Sequence, residues 1–411
     1  MVGLRTGPAR TGPWMIAVAT GGYLLSVWAW ALPGPLAPLL RDELGLSPVQ
    51  QALVVAIPAM IGSLGRMPVG ALADRFGARA LFLAVTLATI GALVVLALVG
   101  RRSVAALTAG VTLLGVAGTM FAAGVPFAGA WAPPHRRGLA IGVFGMGVCG
   151  SAIGGLTAVP LAHRYGITVP YLVCACALAL FAALAAGVLR DPPQRAPATG
   201  GIGQRLGAAL RLPITRQAGL CYAVVFGVFV TFTTYLPAYL NNAYRTGAAE
   251  AGRVMAVIVV VAVLARPAGG WLADRLAPRR PLVVALIAVT GATAVQAATP
   301  PWPVVVGVVL PVLAVALGVA SAATLALVAQ TAPASLTGLV TGVVTAIAGL
   351  AGLAGPLLLA VSLSRFGGYA PALVLLTVAA AAGALTATGR TGRTGYDPSG
   401  MAGPRSTTGH S

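Results

Sequence analysis

The sequence predicts an all-α membrane protein, with twelve transmembrane helices in two pseudo-symmetric six-helix bundles. Three observations carry this prediction: a composition too apolar for water, twelve apolar windows of spanning length, and a repeat relating the two halves at an offset of 200 residues.

Of the 411 residues, 58% are hydrophobic and only 8% charged, where a soluble domain carries roughly a quarter charged residues. So few charges cannot cover a water-facing surface of this size, and mean hydropathy is +0.93. A soluble enzyme, a disordered chain and a disulfide-stapled secreted domain are excluded, and lipid is the expected solvent. All 26 cations are arginines, set against seven acidic residues for a net charge of +19. They stand singly or in pairs between apolar runs, without the basic, aromatic-interleaved face that nucleic-acid binding needs. Cys149, Cys174, Cys176 and Cys221 lie in apolar stretches without metal-ligand spacing and read as small packing residues. His135, His163 and His410 read as solvated. No nucleophile–base pair, phosphate loop or metal cluster occurs, so the chain is read as no enzyme and as needing no cofactor.

Apolar windows fall at 14–37, 49–72, 80–100, 104–128, 138–161 and 167–189, and again at 217–239, 251–272, 281–299, 303–327, 338–361 and 370–389. Twenty residues of helix cross a bilayer core, so this is six spans plus six. The predicted organisation is a tail at 1–13, an N-terminal domain at 14–189, a linker at 190–216, a C-terminal domain at 217–389 and a disordered tail at 390–411. The first window is too long for a signal-peptide core and should persist as a helix. The linker, RDPPQRAPATGGIGQRLGAALRLPITR, is too rich in Pro, Gly and Arg for hydrocarbon and reads as solvated. Seventeen arginines fall in the tails, the linker and the loops after windows two, four and eight, against seven in loops on the opposite side. The positive-inside rule then places both termini in the cytoplasm, in the inner or plasma membrane. A monomer is expected.

The repeat aligns GRMPVGALADRFGAR (65–79) with ARPAGGWLADRLAPR (265–279). Arg66/Arg266, Gly70/Gly270, Leu72/Leu272, Asp74/Asp274 and Arg75/Arg275 pair at the same offset. So do Gly138-Leu139 with Gly338-Leu339, and Gly142-Val143 with Gly342-Val343. Two structurally similar halves are implied.

The segment GALADRFGAR, Gly70 to Arg79, resembles the loop signature of the major facilitator superfamily between helices 2 and 3. GWLADRLAPR, from Gly270 through Asp274 and Arg275, resembles its counterpart between helices 8 and 9. The glycines permit close helix approach, while the aspartates can accept from helix N-termini and pair with arginine, holding one conformation. A charged turn obeying the positive-inside rule is the simpler alternative. Within the motif, Gly77 and Arg79 are assigned to the same conformational loop.

A narrower resemblance is to the nitrate/nitrite porter family of that superfamily. It is carried by WAWALPGPLAPLLRDELGLS in helix 1, GSLGRMPVGALADRFGAR in helix 2, GLAIGVFGMGVCGSAIGG in helix 5, LARPAGGWLADR in helix 8 and GLVTGVVTAIAGLAGLAGP in helix 11. The resemblance implies a carrier that moves nitrate and/or nitrite by alternating access, with Arg66 and Arg266 binding the anion from opposite halves. It assigns Tyr222 as a hydroxyl donor and Phe121 and Phe226 as rings stacking on the anion. The family's helix 5 pattern G-x-x-G-x-G-x-N becomes Gly142, Gly145, Gly147 and then Cys149 in place of Asn, and a thiol is a poor donor.

The paired arginines also have a physical argument of their own. Each lies eight residues before its loop aspartate, about 12 Å into the membrane at the helical rise. A lone cation there costs at least about 2.5 kcal/mol. All seven acids (Asp42, Glu43, Asp74, Asp191, Glu250, Asp274, Asp397) fall in loops, linker or tail, so a wet cavity or a bound anion must compensate. A planar guanidinium fork suits a flat oxyanion. The competing reading ties both guanidiniums to main-chain carbonyls as helix glue.

Small-residue stripes at Gly142, Gly145, Gly147, Gly150, Gly154 and Gly155, and at Gly338, Gly342, Gly349, Gly352 and Gly355, allow tight contact of helices 5 and 11. They fit either a packing seam or a surface on which the halves rock. With no buried acid to carry a proton, nitrate/nitrite exchange is preferred over proton symport. The alternatives are a carrier of the same fold for another small or organic anion, a drug exporter, and a membrane sensor without flux.

Overall fold

A computed structural model describes residues 8–192 and 200–389. The predicted tails, apart from their residues 8–13, and linker residues 193–199 lie outside the described residues, as does His410. Among the described residues twelve helices are long and apolar enough to cross a membrane. They are α1 Thr11–Leu44, α2 Pro48–Phe76, α3 Ala78–Leu98, α4 Val104–Trp131, α5 Pro134–Tyr165, α6 Val169–Val188, α7 Pro213–Tyr244, α8 Glu250–Leu276, α9 Arg279–Ala297, α10 Trp302–Thr331, α11 Ala334–Phe366 and α12 Ala370–Thr388.

Each helix forms for local reasons. Before α2, Ser47 and Gln50 make a capping box, with the Gln50 N–H donating to the Ser47 hydroxyl at 3.3 Å and the Ser47 N–H to the Gln50 side chain at 2.9 Å. Ser103 caps the start of α4 by accepting from the Ala106 N–H. Threonines inside the spans return their hydroxyls to the preceding turn, as Thr86 does to Phe82 and Thr89 to Val85 at 2.7 Å. Such bonds spare these hydroxyls an unpaired place in hydrocarbon. The outward faces are apolar: Leu156, Leu180 and Leu385 are each more than 70% exposed, which suits hydrocarbon and would be a liability in water.

The α2–α3 turn needs Gly77, at φ +99°, both for its backbone and because the Asp191 carboxylate packs where a Cβ would sit. Asp191 in turn accepts the Arg79 N–H at 3.0 Å, and the Arg79 guanidinium donates to the Ala186 carbonyl at 2.8 Å. The equivalent α8–α9 turn uses Ala277 at φ +63° and ψ +140°.

The halves meet through the repeat. A Cβ on Gly70 of α2 would collide with the Gly338 carbonyl of α11, and one on Gly270 of α8 with the Gly138 carbonyl of α5. Further toward the membrane centre, Gly342 and Gly142 press against the carbonyls of Arg66 and Arg266. Helices 2 and 8 thus cross the interface onto the glycine stripes of α11 and α5.

The linker is partly ordered, a departure from its reading as merely solvated. Ile202–Arg211 forms a helix whose buried face is Arg205 and Ala209. Several spans run past the predicted windows, while α6 stays within its own. α2 continues to Phe76 because the charges of its last turn have partners, and α7 extends from Pro213 to Tyr244.

Candidate anion site between the two halves

Arg66 of α2 and Arg266 of α8 are 6% and 4% exposed. The Arg66 Nε donates to the Gly118 carbonyl of its own half at 3.0 Å, and Nη1 donates to the Thr345 carbonyl of the other half at 2.9 Å. Arg266 Nη1 donates to the Gly145 carbonyl, also across the interface, at 3.0 Å. Main-chain oxygens therefore do hold both groups, as the competing reading requires. They hold them at the meeting surface of the two halves, and most of the donor capacity is unused. Of five N–H groups on a guanidinium, Arg66 uses two and Arg266 one among the described residues. No carboxylate pairs with either arginine among those residues.

Aromatic faces complete the surroundings. The Arg66 guanidinium carbon lies 5.8 Å from the Phe121 ring centre and 6.0 Å from that of Phe226, one ring from each half. Arg266 lies 5.6 Å from Phe229. Such contacts moderate the cost of a desolvated cation without neutralising it. Tyr222 stacks on Phe226 at 5.8 Å, one helical turn away, and its hydroxyl is 3.3 Å from that of Ser321. Cys149 is half-buried and within electrostatic reach of Arg266. Its repeat position, Gly349, backs onto Ser63 and the Arg66 guanidinium.

Of the other four residues expected to bind the anion, Phe121 and Phe226 thus face the Arg66 guanidinium, Tyr222 joins through Phe226, and Cys149 lies within electrostatic reach of Arg266. Sequence reasoning missed Phe229 and Tyr23. The first shared a helical face with Tyr222 and Phe226 and could have been read from that spacing. Tyr23 packs tilted against Phe121 at 5.1 Å, and no matching aromatic stands at its repeat position, Ala223. Gly147 packs against Tyr23 and the α1 backbone, while the Gly145 carbonyl is an arginine acceptor. The free space beside Arg266, bounded by Phe226, Phe229, Ala262, Leu317 and Ser321, is at most ≈ 190 Å³.

The loop motifs act as crossed latches on one side of the site. Asp74 accepts the N–H groups of Gly338 and Leu339 at 2.8 and 3.0 Å, at the start of the long α11 helix. Asp274 accepts those of Gly138 and Leu139 at 2.7 and 2.8 Å, in α5. A carboxylate at a helix N-terminus satisfies donors that the helix leaves free and meets the positive end of its dipole. The latches are unequal. Asp74 also pairs with Arg205 of the linker helix at 3.0 Å, and Arg205 reaches the carbonyls of Ala71 and Ser335. No cation pairs with Asp274 among the described residues. Arg75 lies over Phe76 and Arg275 over Trp271, at 5.3 and 4.2 Å. A cavity of about 380 Å³ opens on this same side, but Asp74 and Asp191 line it alongside Arg137, which is a poor setting for an anion.

The profile of the Major Facilitator Superfamily matches residues 19–356. The chain is 42% identical over 289 residues to the probable nitrate/nitrite transporter NarK2 of Mycobacterium tuberculosis, covering 70% of this chain and 73% of that protein. The chain belongs to the nitrate/nitrite porter family of the major facilitator superfamily. Two further relatives are less similar. The nitrite extrusion protein of Bacillus subtilis is 31% identical, covering 64% of this chain and 65% of its own length. The probable nitrate/nitrite antiporter NarK1 of Thermus thermophilus is also 31% identical, covering 64% and 61%. Among solved structures, the human organic anion transporter MFSD10 superposes with a TM-score of 0.75 at 18% identity, over 92% of this chain and 99% of its own. The Escherichia coli fucose:proton symporter FucP gives 0.75 at 15%, over 92% and 98%. These last two bear on fold alone, which is the superfamily fold of multi-pass membrane transporters that the windows and the repeat predicted.

Proposed function

We propose that this porter carries nitrate and/or nitrite across the cell membrane by alternating access, with Arg66 and Arg266 clamping one anion between the halves. The observation that carries the reading is a pair of buried guanidiniums, one from each half, with donors to spare, aromatic faces beside them and no carboxylate. A flat oxyanion accepts from both forks and lies between rings. The names of the relatives point the same way.

With both termini cytoplasmic, the crossed latches close the cytoplasmic side and the anion enters from the opposite face. Moving one anion inward against the membrane potential costs about 2.3 kcal/mol per 100 mV. Exchange of nitrate for nitrite is electroneutral and avoids that cost without a buried acid. The test is counterflow in proteoliposomes: labelled nitrate should accumulate when nitrite is loaded inside. Strong uptake driven by a pH gradient with no internal anion would refute exchange, and displacement by bulky carboxylates would refute the small-anion reading.

A further inference from the structure

Tyr23 of α1 is 94% buried, at 6% exposure. Its ring is fixed on three sides, stacked on Phe144 at 5.0 Å and tilted against Phe121 at 5.1 Å, with Gly147 so close that a Cβ there would lie 2.5 Å from its Cδ1. Among the described residues its hydroxyl has no hydrogen-bond partner, although it lies within electrostatic reach of Arg66, Arg266 and Tyr222 together. A phenol without a partner of its own, on a ring held by Phe144, Phe121 and Gly147 and within electrostatic reach of two guanidiniums, is a donor for an anion bound there.

We propose that the Tyr23 hydroxyl donates directly to the transported anion, as the N-terminal half's counterpart of Tyr222. The proposal rests on the anion reading above and adds the donor that a thiol at Cys149 cannot supply, since sulfur donates weakly. The phenol sits next to Phe121, the ring that also faces Arg66, so the anion would meet a hydroxyl from each half as it meets a guanidinium from each half.

The test is equilibrium binding of nitrate and of nitrite to the purified full-length protein, by titration calorimetry, for the wild type, Tyr23→Phe, Cys149→Asn and the double variant. Phenylalanine keeps the stacking and removes only the oxygen. Loss of a hydrogen bond to a charged acceptor should weaken binding about tenfold or more, with the anion-free unfolding temperature unchanged. Cys149→Asn places an amide donor beside Arg266 and should restore part of the affinity in the Tyr23→Phe background. Tyr23→Phe binding as tightly as the wild type would overturn the role of Tyr23 and leave the anion reading intact. So would weaker binding accompanied by an equal loss of anion-free stability and no recovery from Cys149→Asn. A wild type that binds neither anion would overturn both.

Discussion

The Arg66 guanidinium donates to the main-chain carbonyl of Thr345 at 2.9 Å, across the boundary between the two halves. Its repeat partner does the reverse: Arg266 of the second half donates to Gly145 of the first at 3.0 Å. Donors and acceptors are both 200 residues apart. The latches obey the same crossing, Asp74 to Gly338 and Asp274 to Gly138. Each arginine is therefore both a link between halves and a reserve of donors, so on the proposed reading a bound anion would draw on the same guanidiniums that join the halves.

The glycines at the crossing set the distance of closest approach. Gly142→Ala and Gly342→Ala each push a methyl into an arginine carbonyl, which overpacks a backbone contact at a cost of about 1–3 kcal/mol. Both should shift the protein toward the state open on the latch side, seen as increased labelling of a cysteine introduced there. Gly155→Ala, where nothing lies within 4 Å of the new methyl, should leave labelling unchanged. Equal labelling in all three would show that the glycine stripes do not govern closure.

Neutralising the two latches should have unequal effects. Asp74→Asn strands Arg205, which is 6% exposed, and breaking a buried ion pair costs about 3–5 kcal/mol. Asp274→Asn keeps one acceptor oxygen and turns an NH2 toward the other N–H, a penalty of about 1.5–3 kcal/mol without a stranded cation. Distances between spin labels on the two halves at the latch side should lengthen more in Asp74→Asn. An equal or greater response in Asp274→Asn would remove the linker helix from the account.

Ala277 holds a backbone conformation that glycine adopts freely and that costs an alanine of order 1–3 kcal/mol. The first half has Gly77 at the equivalent turn. Ala277→Gly should raise the thermal unfolding temperature of the purified protein, with a gain of about 1 kcal/mol, and leave anion affinity unchanged. A lower unfolding temperature would place the strain elsewhere.

Much of this molecule could be read in advance because lipid imposes hard constraints. A span must be long and apolar, and a cation at depth needs a reason. The twelve windows, the repeat and Arg66/Arg266 follow from those rules, and the aspartates of the loop motifs were readable as helix-terminus acceptors. The carbonyls of Gly118, Gly145 and Thr345 were not, since every residue has one and only packing decides which faces a guanidinium. Arg205 was hidden for a related reason. In IGQRLGAALR it looks like any arginine of a polar linker, and its burial depends on the helix docking against Asp74 and Ser335. Tyr23 left no signal because the repeat places Ala223 opposite it.

The central claim is that the two arginines hold the anion. Titration of the purified protein with nitrate and with nitrite, for the wild type, Arg66→Ala and Arg266→Ala, tests it most directly. Removing one partner of a buried, hydrogen-bonded charge pair costs about 2–5 kcal/mol, so each variant should lose roughly 30-fold or more in affinity while remaining folded. Either variant binding both anions as tightly as the wild type would contradict the account.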